Sequence, residues 1–351
     1  MTEPRTRLRV VRFTLCLVLA LVLNAAPTAV RAQSNAATPE ATINASLDAI
    51  ATRARGLAAR GKHKEAESLI RIVLNRKTAI LAPSDPGMLE DFMFLAKLQQ
   101  NRGNVADAIA TVAQVARNAD EATKAGRRQL ATAHRDLGLL QARQGRSYSA
   151  RLNLMKALAW FRQESGAKSL DVADTQFKIA KLETRALQLE RARDRLRQAR
   201  AVIDARGGKD RRRLARIEQA LGEWHFRQAR FTDSAEHYRR AASMRQALFG
   251  PKHLETAQSI VSLASSMKSM ARLAAAEELY RGGLSVYEER LGTDHPYIAT
   301  TLNNLGQLYY NQGRYDEAEE ALDRAVEIIS EAEGEDHINL AAPSNHLGYM
   351  Y

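Results

Sequence analysis

The sequence repeats every 42 residues from about residue 43 to its last residue. The marker of the repeat is a residue at the turn between two helices, found at Gly61, Gly103, Gly145, Leu187, Ala229, Ala271 and Gly313. Each step between these positions is 42 (103 − 61 and so on to 313 − 271), and no insertion or deletion interrupts the series. A repeat of this length predicts a solenoid, in which stacked units present an extended surface for binding.

Each unit is predicted to contain two helices joined by a tight turn. In the clearest unit the first helix covers residues 297–311, the turn 312–314 and the second helix 315–332. Glycine ends a helix well because it adopts positive φ at no steric cost. Leu187, Ala229 and Ala271 are poorer residues for such a turn, so we expect packing to hold the turn in their units.

Two columns of small residues predict how the helices approach each other. Five residues after the turn come Ala66, Ala108, Ala150, Ala192, Ser234, Ala276 and Ala318. The matching column of the first helix is Ala54, Ala96, Gly138, Ala180, Gly222, Ala264 and Gly306. Small residues recurring on one helix face predict close packing between neighbouring helices.

The segment 295–306, followed by Gly313 and Ala318, resembles a tetratricopeptide repeat of the 42-residue kind found in kinesin light chains. The resemblance covers seven units over residues 43–336, and residues 337–351 match the first helix of a partial eighth. It implies an all-α fold, a right-handed α-solenoid of antiparallel helix pairs with a concave groove lined mainly by first helices. Arg53 departs from the pattern because it stands where the first unit should have leucine.

By analogy with this family, fixed positions of the first helices face the groove and form a candidate binding site for a partner. They are Lys97, Asn101, Arg135, Arg143, Phe177, Lys181, Arg185, Phe226, Arg227, Lys268, Asn303, Gln307, Tyr310 and Asn311. Arginine and lysine attract carboxylates, and asparagine can hydrogen-bond a peptide backbone. These side chains predict a groove for an acidic peptide or protein, with a generic solvated helix face as the alternative.

Residues 1–32 have the pattern of an export signal, and residues 33–42 are predicted to be a flexible mature N-terminus. Arginines at 5, 7, 9 and 12 precede an apolar run at 13–23, and cleavage is expected near Ala32. The protein is therefore predicted to be exported, either periplasmic or secreted. The alternative is an uncleaved N-terminus that holds the chain at a membrane. Cys16 is the single cysteine, so cleavage would leave no thiol chemistry.

The charge is positive overall but unevenly distributed. The chain has 52 basic and 40 acidic residues, whereas residues 301–351 contain two arginines and ten acidic residues. An arginine-rich stretch runs through Arg191, Arg193, Arg195, Arg197, Arg200, Arg211, Arg212 and Arg213. It would attract polyanions such as lipid headgroups or envelope polymers, unless it is only a solvated face. Nucleic acid is not the expected ligand, since an exported protein rarely meets it and no aromatic residues interleave.

Neither a metal site nor a catalytic motif is predicted. His253, His295 and His337 lie 42 residues apart, so they belong to separate units and should cap helices or lie at the surface. No phosphate loop or nucleophile elbow occurs, and no cofactor is expected.

The sequence therefore predicts a non-enzymatic scaffold of the cell envelope that binds a protein or peptide. Two alternatives remain open. The chain could be the recognition region of a larger enzyme, such as a tetratricopeptide protein fused to a caspase-like (CHAT) peptidase, or a membrane-associated envelope assembly factor. Because the pattern stops at Tyr351 inside the eighth first helix, the half-unit is interpreted as a crude cap, a surface for self-association or a point of truncation.

Overall fold

The computed structural model describes residues 39–334 and 340–348, which form fifteen helices and no strand. The helices are α1 (Pro39–Ala59), α2 (His63–Ile80), α3 (Pro86–Asn101), α4 (Val105–Asn118), α5 (Lys124–Arg143), α6 (Ser147–Ser165), α7 (Leu170–Arg185), α8 (Leu189–Asp204), α9 (Arg211–Arg227), α10 (Phe231–Phe249), α11 (Leu254–Ser269), α12 (Leu273–Leu291), α13 (Pro296–Asn311), α14 (Tyr315–Glu333) and α15 (Ala341–Gly348). Contacts divide the chain into two compact units, Met1–Ser46 and Leu47–Tyr351. The described part of the first is the start of α1, residues 39–46.

The N-terminal predictions are only partly covered by the described residues. The predicted export signal, residues 1–32, lies outside them. Helix α1 begins at Pro39, so residues 39–42 of the segment predicted to be flexible are helical. Proline is favoured in the first turn because the missing N–H would have no helical partner there. None of the described helices is both long and apolar enough to cross a membrane.

The second compact unit is a stack of helix pairs. Odd-numbered helices are the first helices of successive repeats, and even-numbered helices are the second. From α3 to α14, each first helix packs against the second helix of its own repeat, and each second helix from α2 onward packs against the next first helix. This arrangement confirms the predicted all-α solenoid.

Backbone hydrogen bonds hold the turns between paired helices. All seven marker residues have positive φ, including Leu187 (57°), Ala229 (56°) and Ala271 (58°). The N–H of Ala229 donates to the carbonyl of Phe226, and the next N–H donates to that of His225. These two bonds form a Schellman motif, which the glycine turns share. The side chains of the three non-glycine residues are exposed, Leu187 to 64%, so they add little packing of their own, and the expectation that their units hold the turns by packing stays a prediction.

The small columns set the distance between helices. The seven residues from Ala66 to Ala318 have no exposed surface. At Gly306 a Cβ would lie 2.6 Å from Cγ of Leu322, and at Gly222 it would lie 2.6 Å from the ring of Tyr238. The first helices therefore approach the second helices too closely for a larger residue at these two positions.

A buried ammonium joins the first two repeats. Nζ of Lys77 donates to Oδ1 of Asp48 at 2.6 Å and to Oδ2 of Asp91 at 2.8 Å. The other oxygen of Asp91 accepts from Arg55 at 2.6 Å. Since Lys77 and Asp91 are almost completely buried, these bonds compensate charges that would otherwise be costly to remove from water.

Candidate partner-binding face

The fourteen predicted site residues all reach the surface of the first helices, and we call the surface that they form the first-helix face. Eight are exposed and six are half-buried. The half-buried ones are Arg135, Phe177, Phe226, Lys268, Asn303 and Gln307. Structural contacts define a central part on α5, α7 and α9 and a C-terminal part on α11 and α13, which α15 contacts, whereas Lys97 and Asn101 on α3 belong to neither part.

Helices α7 and α9 are joined across the central part. The guanidinium of Arg216 lies 4.6 Å from the ring centroid of Phe177. One oxygen of Asp174 lies 3.6 Å from Nη1 of Arg216, and the other pairs with Nη2 of Arg213 at 2.8 Å. A cation over an aromatic face and a carboxylate shared by two arginines hold these side chains in place.

Two lysines of the central part lack such a partner. Among the described residues, neither Lys178 nor Lys181 has a carboxylate within ion-pair distance. Burial lowers the pKa of Lys178, the charges of Arg135 and Arg216 lower it further, and those of Asp174 and Asp136 partly offset the effect. The side chain of Lys181 is exposed, yet surrounding protein atoms desolvate it and lower its pKa, which Glu223 partly offsets. The centre of the face therefore carries positive charge that the nearby carboxylates offset only in part.

The C-terminal part is an ammonium surrounded by amides. Nζ of Lys268 donates to Oδ1 of Asn304 at 3.2 Å and to Oε1 of Gln307. The ring of His346 on α15 bridges Gln307 and Asn303, with Nδ1 3.0 Å from the Asn303 oxygen. Burial lowers the pKa of Lys268 to about 8. The cause is desolvation, because the groups that bind the ammonium are neutral.

Other predicted residues are not brought into these groups. Phe226 packs edge-to-face on Phe231, with ring centroids 5.3 Å apart, and Tyr310 packs similarly on Tyr315 at 5.6 Å. Both contacts are local, since each joins the end of a first helix to the start of the following second helix. Nε of Arg135 pairs with the adjacent Asp136 at 2.8 Å. Within the described chain the side chains of Lys97, Asn101 and Arg143 form no hydrogen bond or ion pair.

Sequence reasoning missed Lys178, Asp174, Arg216 and Asn304. A signal for one pair was present, because Asp174 and Arg216 are 42 residues apart and carry opposite charges. Equivalent positions of neighbouring repeats lie side by side, so a charge pattern along a column predicts pairing between repeats. Asn304 gave no comparable signal, since its bond to Lys268 depends on how closely α11 and α13 approach.

Two of the three periodic histidines, His253 and His295, cap helices, as predicted. Nδ1 of His253 accepts from the N–H of Glu255 at 3.1 Å, and Nδ1 of His295 accepts from the N–H of Tyr297 at 3.1 Å. The equivalent His337 lies outside the described residues. Within residues 39–334 and 340–348, no three His, Cys, Asp or Glu side chains are grouped as a metal site would require.

The arginine-rich stretch is partly used in internal ion pairs. Arg193 pairs with Glu190 at 2.6 Å, and Arg200 pairs with the buried Glu218 at 2.5 Å. Arg197 and Arg211 are exposed. The stretch is therefore not one uniform basic surface.

A cavity of about 540 Å³ lies at the loop between α10 and α11. Its lining includes Phe249, Lys252 and Arg290 and none of the residues of the first-helix face. Nζ of Lys252 pairs with Glu289 at 2.9 Å, and Nε of Arg290 donates to the Lys252 carbonyl at 3.1 Å. Its cations are thus already engaged, and the cavity does not extend the candidate site.

Stacked helix pairs with a polar face of first helices define an α-solenoid scaffold, a class of protein that binds partners through extended surfaces. The tetratricopeptide repeat family matches residues 213–289, 263–322 and 297–351. These matches show that the C-terminal region, residues 213–351, is built of tetratricopeptide repeats. No curated protein matches the sequence.

Solved structures share the fold at low sequence identity. A tetratricopeptide repeat protein from Parabacteroides merdae ATCC 43184 has a TM-score of 0.59 and 12% identity, over 87% of this chain and 99% of that one. A Rap protein complexed with Competence and Sporulation Factor has a TM-score of 0.58 and 14% identity, over 88% and 87%.

Proposed function

We propose that the first-helix face binds an extended acidic segment of a partner protein. The observation that carries this proposal is the pair Lys178 and Lys181, whose charges are desolvated and have no carboxylate partner among the described residues. A carboxylate that approaches such an ammonium stabilises its charged form. Folding has already removed water from the ammonium, so the ion pair requires little further desolvation of that group.

The C-terminal part of the face would add recognition of the peptide backbone. Asn303, Asn304 and Gln307 carry amide groups that can both donate and accept hydrogen bonds. Asn304 and Gln307 bind Lys268, and His346 links Asn303 to Gln307, so one carboxylate and its neighbouring peptide groups could be bound together. Among proteins of similar fold, the Rap protein complexed with Competence and Sporulation Factor is an example of a solenoid that holds a partner.

Binding of a labelled peptide of alternating glutamate and alanine tests this proposal. We expect the double variant Lys178→Met and Lys181→Met to bind about 30-fold more weakly at low salt, taking about 1 kcal/mol for each charge. The matched control is Lys64→Met with Lys156→Met, which removes the same charge from two exposed lysines outside the face. Equal affinity of wild type and the face variant, or an equal loss in the control, would contradict the proposal.

We also propose that the protein acts in the cell envelope after export. The support is the sequence of residues 1–32, with its basic start, apolar run and small residues before Gln33. N-terminal sequencing of the protein purified from the envelope fraction tests this point. A start near Gln33 would support export with cleavage, whereas a start at Met1 would refute cleavage.

A further inference from the structure

Six exposed cations form a patch at one edge of the solenoid, which we call the basic edge. They are Arg162, Lys168, Arg206, Lys209, Arg211 and Arg212. They belong to the end of α6, the loop before α7, the loop before α9 and the first turn of α9. In a stack of antiparallel helix pairs, every connection from a second helix to the next first helix lies at the same edge.

Contacts between neighbouring repeats show that this edge is continuous. The guanidinium of Arg162 donates to Gln198 on α8 at 3.3 Å. Arg213, next to the patch, joins the start of α9 to Asp174 on α7. The guanidinium of Arg212 lies 5.0 Å from the ring centroid of Phe249 at the end of α10.

Most carboxylates near the basic edge are already paired elsewhere. Glu164 binds Arg127, Asp204 lies 3.5 Å from Arg200, and Asp210 binds Arg213. Asp171, in the first turn of α7, is the exception. The charge of the six cations is therefore largely uncompensated within the molecule, which favours an anionic partner.

The acidic C-terminal region of the same chain contains a surface of opposite charge. Asp316, Glu320, Asp323, Glu327 and Glu331 are exposed on α14. Their spacing of four, three, four and four residues places them on one side of the helix, which we call the acidic helix face. Among the described residues none of the five has an ion pair.

We propose that the basic edge binds the acidic helix face of a second copy of this chain. Residues 316–331 are sixteen residues of helix and span about 22 Å, and the basic edge covers parts of three consecutive repeats whose helices pack at roughly 8–10 Å from axis to axis. The two surfaces therefore match in length as well as in sign. Repeat six, formed by α11 and α12, lies between them within one molecule, and no described ion pair joins them.

The two surfaces belong to different repeats, and each copy offers one of each kind. Two copies can therefore exchange both contacts in a reciprocal two-fold dimer, or successive copies can repeat one contact in an open head-to-tail chain. Either interface differs from the first-helix face, which remains free to bind another partner. An assembly of either kind presents that face more than once.

Charge reversal on each surface tests the proposal by light scattering of the purified protein. At about 20 mM salt the wild type should gain mass with concentration, and about 0.5 M salt should return it to a monomer. Glu320→Lys, Asp323→Lys and Glu327→Lys together should weaken self-association at least about tenfold. Arg206→Glu, Lys209→Glu and Arg211→Glu together should do the same.

Mixing the two triple variants provides the decisive observation. Each variant repels itself, but the intact basic edge of one matches the intact acidic helix face of the other, and the two reversed surfaces also match. The mixture should therefore assemble as the wild type does. A control with Glu90→Lys, Glu121→Lys and Glu278→Lys changes the net charge as much as the acidic variant, at exposed positions outside α14, and should still self-associate. A monomeric wild type at low salt, or a mixture that stays monomeric, would overturn the proposal.

Discussion

Replacing Ala229 or Ala271 by glycine should stabilise the protein, although glycine usually destabilises. Both alanines end a first helix with φ of 56° and 58°, in the left-handed region. This conformation costs an L-residue roughly 1–2 kcal/mol. Glycine removes that cost but adds about 0.4–1 kcal/mol of unfolded-state entropy. The expected net gain is therefore about 0.5–1 kcal/mol at each turn.

Two features of the turns make the sign of this effect clear. Both alanines are exposed, so loss of the methyl group removes little packing. The Schellman bonds use backbone groups only, and the glycine at Gly313 forms the same bonds as Ala271. The two sites lie in different repeats, so the gains should add in the double variant.

Urea unfolding followed by circular dichroism measures this effect, with native-state hydrogen exchange to locate it, since repeats of a solenoid can open separately. The matched control is Ala159→Gly, which removes the same methyl group from an exposed position inside α6. That change should cost about 1 kcal/mol. If Ala229→Gly and Ala159→Gly destabilise equally, the turns store no left-handed strain and the reasoning fails.

Three further predictions concern packing, buried charge and pH. Gly306→Ala should destabilise the protein by about 1–3 kcal/mol, because the new Cβ would lie 2.6 Å from Leu322 on α14. Gly282→Ala places its Cβ where no atom lies within 4 Å and should stabilise the protein by about 1 kcal/mol. Shifts of the urea midpoint in the same direction for both variants would refute this. Lys77→Met should cost about 3 kcal/mol, since it removes a partner of the buried Asp91, and a thermal midpoint equal to wild type would contradict it. The folded pKa of Lys268 is about 8 against 10.5, so the unfolded chain binds more protons between these values. The free energy of unfolding of the wild type, relative to that of Lys268→Met, should therefore rise as the pH increases from about 8 to 10.5. A difference in unfolding free energy that does not change over this pH range would count against a buried ammonium.

The repeat period was enough to predict the helices but not the way the turns are held. The helix predicted for residues 297–311 is observed as Pro296–Asn311, and the turn residue Gly313 has positive φ. For Leu187, Ala229 and Ala271 the sequence predicted that packing holds the turn, because these residues suit a turn less well than glycine. In the structure their side chains are exposed, and backbone hydrogen bonds of the same pattern as in the glycine turns close each turn. The period therefore located these turns, whereas residue type did not reveal the hydrogen bonds that hold them.

The first-helix face was predictable as a set of positions and less so as a set of contacts. Its fourteen residues reach the surface because the repeat fixes which side of each first helix packs inward. The environment of Lys268 could not be read from the sequence, since it depends on amides of α13 and a histidine of α15. Its altered pKa arises from three helices that meet only after folding.

Packing and charge occupy different columns of the repeat, and this separation has a consequence for function. The column from Ala66 to Ala318 is buried in every repeat and fixes the distance between helices. The charged positions lie elsewhere on the helices, so they can differ from repeat to repeat without disturbing that distance. Thus one frame can carry unpaired lysines at its centre, amides near its C-terminal end and a row of carboxylates on α14. Because exposed substitutions usually change stability by less than about 0.5 kcal/mol, charge-reversal variants should lose binding while retaining the fold, which makes them direct tests of function.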